Sequence, residues 1–209
     1  ALPILRLLGV DLMTGHWEFT YGQDRVKEVV EKGLGRTEFL AQNVKTTDFG
    51  DPVFKPYVIR TMNGIPVAII GQAFPYTPIA NPRHFVADWT FGIREAALQR
   101  LVDEARAKGA QVVVLLSHNG MDVDVKLAGR VRGIDVILGG HTHDGVPVPL
   151  EVANGAGRTI VTNAGCNGKF LAVLDLDVRG GRIAGYRYRL LPVFANLLEP
   201  DAEMAAHIE

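Results

Sequence analysis

Leu138-Gly139-Gly140-His141-Thr142-His143-Asp144-Gly145 is the stretch on which the reading of the chain turns. Ile134 to Leu138 before it is a short apolar, β-branched run of the buried-strand type. Two glycines end it, so both histidines fall in a loop just past a strand's C-terminal end. Open α/β sheets keep their sites at that edge. His141 and His143 are two apart, which in extended backbone sends both rings to one face, and Gly139 and Gly140 let the main chain bend close to what the rings hold. Two imidazoles converging on one point suit a metal ion. A second apolar run, Gln111 to Leu116, ends in the same manner in Ser117-His118-Asn119-Gly120. A single histidine after a strand ordinarily just hydrogen-bonds loop backbone. Two parallel-type strands that deliver three of the chain's six histidines to one edge make a constellation.

Outward from these strands, Val123 to Val131 lies between them and reads as a short helix. Thr90 to Lys108, with Ile93, Ala97, Leu98, Leu101, Val102 and Ala105 on one side and Gly109 as its stop, reads as a longer helix just upstream. That βαβ rhythm predicts a parallel sheet with helices packed on it. Before it, Pro56 to Met62 and Ile65 to Gln72 flank Asn63-Gly64, a strong hairpin signal. Ala73 to Asp88, with three prolines and three aromatics, reads as a long ordered surface loop. The first third is less regular. A helix over Ala1 to Leu8 and a strand over Val10 to Met13 lead into Thr14-Gly15-His16-Trp17-Glu18-Phe19-Thr20-Tyr21-Gly22, a third strand-to-loop junction with a histidine. Asp24 then N-caps a helix through Lys32, Glu38 to Val44 is a strand, and Thr46 to Lys55 a loop. Downstream, Arg158 to Thr162, Phe170 to Val178 and Arg182 to Leu190 read as strands, the last two a hairpin around Gly180-Gly181.

The chain has 209 residues, 47% apolar and 22% charged, ordinary values for a globular domain. A net charge of −1 supplies no global attraction to nucleic acid or to an anionic membrane. Fifteen arginines against seven lysines, with one serine, hint at a heat-adapted composition. Cys166 is alone, so no internal disulfide forms. In Asn163-Ala164-Gly165-Cys166-Asn167-Gly168 it reads as a small residue at a turn. No signal peptide, membrane-length apolar run or lipidation box is visible. The chain opens without methionine inside a helical pattern, which predicts an N-terminal truncation. Residues 1–192 read as one domain and 193–209 as the start of a linker or a following domain.

With these residues in view, the chain resembles the calcineurin-like metallophosphoesterases in their 5′-nucleotidase branch. That family places ligands at strand ends in the order Asp-x-His, Gly-Asp-x-x-Asp, Gly-Asn-His-Glu, a lone histidine and Gly-His-x-His. The last three match as Gly15-His16-Trp17-Glu18, His118 and Gly140-His141-Thr142-His143, whereas the first two have no counterpart here. The fold implied is a partial, N-terminally truncated α/β sandwich. Within the branch, Gly-His-Trp-Glu-Phe-Thr-Tyr-Gly, Leu-Ser-His-Asn-Gly-Met-Asp and Gly-Gly-His-Thr-His-Asp-Gly are similar to the SoxB thiosulfohydrolases. The resemblance implies a periplasmic enzyme with two divalent ions, manganese foremost. It would hydrolyse the sulfone group of a thiosulfonate on the cysteine of a SoxYZ-type sulfur carrier, releasing sulfate in thiosulfate oxidation. No nucleic acid or membrane partner is implied.

Carried over residue by residue, His16, His118 and His141 fall on one ion and His143 on the other. The second ion lacks its Asp and His ligands, so this chain is expected to bind at most one ion firmly. Trp17 stands where the family has the histidine that assists the leaving group. It reads either as an apolar wall against a peptide arm or as a half-buried packing residue. Asn119 reads as a substrate contact or as a turn residue, and Asp122 and Asp124 as supports of a ligand or as helix caps. No general acid is assigned. His84 and His207 match no motif. Ser117 lies in no Gly-x-Ser-x-Gly elbow, which disfavours a serine hydrolase. The alternatives are a 5′-nucleotidase or cyclic phosphodiesterase of the same fold, and an inactive metal-binding fragment.

Overall fold

The strands that carry the histidines lie at the centre of a six-stranded sheet. The computed structural model describes residues 2–155 and 157–208. In chain order its elements are α1 (Leu2–Leu7), β1 (Leu12–Met13), α2 (Gln23–Glu28), β2 (Glu38–Phe39), β3 (Lys45–Thr46), β4 (Tyr57–Met62), β5 (Ile65–Gln72), α3 (Thr77–Ala80), β6 (Trp89–Thr90), α4 (Glu95–Ala107), β7 (Val112–Ser117), α5 (Met121–Arg130), β8 (Val136–Gly139), β9 (Leu150–Asn154), β10 (Gly157–Asn163), β11 (Phe170–Arg179), β12 (Arg182–Pro192) and α6 (Ala202–Ile208). The sheet order is β4-β5-β7-β8-β10-β9. The four inner strands run parallel, β5 reaching β7 through α4, β7 reaching β8 through α5 and β8 reaching β10 by way of β9, and the edges β4 and β9 are antiparallel.

Side-chain alternation on these strands feeds two layers. Ala68 and Ile70 of β5, Val113 and Leu115 of β7, Ile137 and Val161 face α4 and α5, where they meet Leu98, Val102, Ala105 and Leu127. Val67, Ile69, Val112, Val114, Val136 and Ile160 face the opposite way, onto Leu174, Leu176, Val178, Ile183 and Tyr186 of the β11–β12 hairpin. Each such side chain, when fully buried, contributes about 1.5–3 kcal/mol. The result is the expected α/β sandwich. A third cluster, centred on Phe19, Phe39, Phe54 and Trp89, holds the irregular first third of the chain. Its rings meet edge to face, Phe19 lying 5.0 Å from Phe91 and 6.2 Å from Trp89.

The strand register decides where the site forms. Gln72 pairs with Ser117, Leu116 with Leu138, and Asn163 with Gly139. The ends of β5, β7, β8 and β10 are therefore level, and His118 comes abreast of Gly140, one residue before His141.

Several expectations are corrected. The Thr90–Lys108 helix begins only at Glu95, because Thr90 pairs with Lys45 across β6 and β3 and Arg94 takes a left-handed backbone. The Glu38–Val44 strand is two residues long. Beyond it Gln42 and Asn43 turn their amides onto the backbone of Ile93, Ala73 and Gly92. Asp24 lies inside the first turn of α2, whose N-cap is Gly22. The Ala73–Asp88 segment is no surface loop: it forms α3 and a 3-10 turn, and buries Phe74, Thr77 and Val86. Strand β9 was not expected from the sequence: it is five residues long and largely exposed. Among the described residues no helix is long and apolar enough to cross a membrane.

Candidate metal centre

Each histidine is aimed by a local backbone device. At Gly15 the chain passes so close to the aromatic cluster that a Cβ would stand 2.6 Å from the Phe39 ring. His16 follows directly, its N–H donating to the Glu18 carboxylate at 2.8 Å, and Thr20 closes the 3-10 turn by donating to the Trp17 carbonyl at 2.7 Å. His118 leaves the end of β7 with its N–H bonded to the Gln72 carbonyl at 2.9 Å. At Gly140 the His118 ring leans over the backbone, and a Cβ there would lie 3.2 Å from Nδ1, a contact tight enough to press on the ring.

His141 and His143 sit in backbone that is not extended. Their φ angles are 77° and 61°, a region that few non-glycine residues enter and that clusters at functional sites. Thr142 pins the turn between them. Its hydroxyl accepts from the Met121 N–H at 3.0 Å and donates to the Asp144 carboxylate. The inference that an extended His-x-His sends both rings to one face is thus corrected.

The rings of His16, His118 and His141 converge, with centroids 4.8, 4.9 and 5.4 Å apart. One nitrogen from each lies within 4.8 Å of the other two. His16 Nδ1 and His118 Nε2 are 3.0 Å apart. Two nitrogens bound to one ion at about 2.1 Å would show a separation of roughly that size. Phe74 closes the back of the cluster, its ring centroid 4.2 Å from those of both His16 and His141.

Burial is the first cause that lowers the ring pKa values, to about 4 at both His16 and His118. Proximity of the other histidines adds to it. His141 shifts down by burial and by His143, and Asp122 opposes the shift. All three rings are shifted toward the neutral form at pH 7, and His16 Nδ1 and His118 Nε2 share a hydrogen bond whose proton a cation would replace. A neutral, convergent, half-buried donor set of this kind fits one divalent ion.

The other sequence candidates fall outside this group. His143 is exposed and contributes no nitrogen to it. Trp17 is 69% exposed, its ring 5.0 Å from that of His16, so it stands at the rim of the cluster and is not a half-buried packing residue. Asn119 is corrected as a substrate contact. It is 2% exposed, accepts from Gln72 Nε2 at 3.0 Å and donates to Asp124 at 3.0 Å, so both ends of its amide are occupied. Asp122 and Asp124 lie in the first turn of α5, capped by Gly120, so neither is the N-cap. His84 and His207 are exposed and remote from the cluster in sequence, and Ser117 is buried with its hydroxyl donated to Asp124. Phe74 and Gln72 were missed. The signal for Gln72 is that β5 and β7 each end an apolar run in one buried polar residue, Gln72 or Ser117, whereas Phe74 carries no such signal.

No family model matches the chain. Among solved structures it is 44% identical to the Thermus thermophilus sulfate thiohydrolase SoxB, solved with glycerol, at a TM-score of 0.91. That match covers 99% of this chain and 37% of the SoxB chain. It is 27% identical to a 5′-nucleotidase precursor, also from Thermus thermophilus, with a TM-score of 0.79 over 91% of this chain and 40% of that one. The 5′-nucleotidase of Rattus norvegicus is 29% identical across 98% of this chain and 38% of its own length. The chain thus spans about two-fifths of the length of these three proteins.

Proposed function

From a chain that is a SoxB-like member of the 5′-nucleotidase metallophosphoesterase superfamily, we propose that it is the metal-binding part of a periplasmic thiosulfohydrolase. Its substrate would be a thiosulfonate on the cysteine of a SoxYZ-type sulfur carrier. Water adds at the terminal sulfur and the S–S bond breaks. Sulfate and a carrier persulfide leave, and two protons are released. Two divalent ions, manganese foremost, would serve the whole protein.

The observation that carries this reading is Trp17, placed directly after His16 at the rim of the three-histidine cluster. An alkoxide leaving group needs a proton in the transition state, and an indole has none to give at neutral pH. Glu18 is no substitute, since its carboxylate accepts the His16 N–H. A persulfide leaves without protonation. His16, His118 and His141 would hold one ion, which supplies Lewis-acid polarisation and a deprotonated water when bound. The three rings enter neutral, so binding would ask for a tautomer shift at the His16–His118 hydrogen bond and for no net loss of a proton from them at pH 7. Phe74 shields their back from water, and Trp17 offers an apolar flank to a peptide-borne substrate.

The 5′-nucleotidase reading is kept because the curated relatives bear that name. Assaying the full-length protein on a carrier-cysteine thiosulfonate and on a nucleoside monophosphate separates the two. Sulfate release with little phosphate release is expected. Trp17→His should raise phosphatase activity toward the hundred- to ten-thousand-fold scale of general acid catalysis, of which only a part is expected in practice. Strong nucleotidase activity with no turnover of the carrier conjugate would sink the thiosulfohydrolase reading.

A further inference from the structure

We infer that Asp124 is a positioning residue for the metal centre, a single buried carboxylate that ties the strand end bearing His118 to the one bearing His141; the inference rests on the metal-site reading above. Asp124 lies in the first turn of α5 and is 0% exposed. Its Oδ1 accepts from Ser117 Oγ at 2.7 Å and from Asn119 Nδ2 at 3.0 Å, the two residues that flank His118. Ser117 Oγ also accepts the Asn119 N–H at 3.2 Å, so the segment 117–119 closes as a ring against the carboxylate.

The ring is anchored further back. Asn119 Oδ1 accepts from Gln72 Nε2 at 3.0 Å, and Gln72 Oε1 accepts from Gln42 Nε2 at 2.6 Å, all within the buried interior. On the other side Asp124 Oδ2 fills the space a side chain at Gly139 would occupy, 2.9 Å from where its Cβ would stand. The carboxylate is thus hydrogen-bonded to one histidine-bearing strand end and in contact with the next.

No cation among the described residues compensates Asp124; the groups that act on it are Ser117, Asn119 and Asp122. Burying a carboxyl without a counter-charge is costly, and apolar residues of similar volume commonly replace such groups without loss of stability. Its neighbours on the same helix face, Leu127 and Ala128, are apolar. What an apolar residue there could not do is accept from Ser117 and Asn119, and so hold the His118 backbone. A ligand must sit within about 0.5 Å of its productive place, so supports of this kind ordinarily change metal affinity tenfold to a hundredfold.

The test measures cobalt(II) affinity of the purified full chain by competition with a chelator, for wild type, Asp124→Ala, Asp124→Asn, Ser117→Ala and His118→Ala. Val102→Ala, a core cavity on the α4 side away from the histidines, serves as a stability control. Metal-free crystal structures of wild type and the Asp124 variants are solved in parallel. Asp124→Ala is expected to bind at least tenfold more weakly. Asp124→Asn, whose Oδ1 can still accept both donors, should stay within about threefold, and Ser117→Ala should weaken in the same direction. Val102→Ala should lower the melting temperature and leave affinity unchanged. In the metal-free Asp124→Ala crystal the 3.0 Å separation of His16 Nδ1 and His118 Nε2 should open. Should that variant fail to fold, Ser117→Ala and Asp124→Asn carry the comparison. Wild-type affinity and an unmoved ring in Asp124→Ala, or an equal loss in Val102→Ala, overturns the inference. If wild type itself binds no ion, the metal reading falls, and the crystallographic separation alone decides the role of Asp124.

Discussion

His16, His118 and His141 act as neutral donors because burial makes their protonated forms unfavourable, and that sets a pH dependence with a definite sign. Below pH 6.5 the unfolded chain takes up protons that folded His16 and His118 refuse until about pH 4, so stability falls as the pH drops through that window. Asp124 works in the opposite sense. Burial first, and Asp122 in addition, raise its carboxyl to about 6 against hydrogen bonds from Ser117 and Asn119, so its contribution is present at low pH and lost as the pH rises through 6. Two large histidine shifts outweigh one aspartate. The melting temperature of the metal-free chain is expected to decline from pH 6.5 toward 4.5, and His118→Ala should flatten the decline; a rise toward acid would show that Asp124 dominates instead. Metal affinity of the folded chain should hold through most of that window and fall only as the pH approaches 4, where protons begin to compete for the His16 and His118 rings. His118→Ala should abolish firm binding, whereas His143→Ala, outside the three-nitrogen group, should leave affinity within a few-fold.

At the scale of elements, close approaches of backbone make the site possible. A Cβ on Gly71 of β5 would stand 2.1 Å from the Leu40 carbonyl oxygen, which is main chain bonded into its surroundings and unable to yield. Gly71→Ala is therefore expected to cost at or above the upper end of the roughly 1–3 kcal/mol typical of overpacking. Gly139→Ala, which would press on Asp124 Oδ2 at 2.9 Å and the Thr162 carbonyl at 3.0 Å, should cost about 1–3 kcal/mol. Denaturant titration of both variants checks the order. Equal and negligible costs would mean that β5 and β8 have freedom the register does not suggest. The hairpin of β4 and β5 turns on Asn63 and Gly64, both at positive φ, as a two-residue turn with that pair requires.

On the scale of the whole molecule, one ion bound at the edge of the sheet joins three parts of the chain: the β1 junction, the end of β7 and the loop after β8. Binding to the folded state alone stabilises it by mass action, about 2.7 kcal/mol when free ion stands at a hundred times the dissociation constant. A domain of this size moves by roughly 2–4 °C per kcal/mol, so the melting temperature should rise by about 5–10 °C. Manganese, zinc and cobalt titrations followed by calorimetry give the measurement. A rise that persists in His118→Ala would place the ion elsewhere.

Continuous apolar runs, the Asn63-Gly64 turn and the βαβ rhythm were enough to derive a parallel sheet with helices packed on it, because each is a local consequence of what must be buried. The histidine-bearing strand ends were legible for the same reason: apolar runs stop where glycine and imidazole begin. What no local pattern contains is the alignment of those ends. Only the pairing of Gln72 with Ser117 and of Asn163 with Gly139 brings His118 abreast of Gly140. Only folding places Phe74, from a segment without periodicity, behind two of the rings. The left-handed backbone of His141 and His143 depends on Thr142 meeting the N-terminus of α5, and the burial of Asn119 and Asp124 on strands more than forty residues apart in sequence. Side-chain chemistry along the chain thus marked the candidate ligands. The long-range hydrogen bonds and close contacts that aim them exist only once the sheet has closed its register.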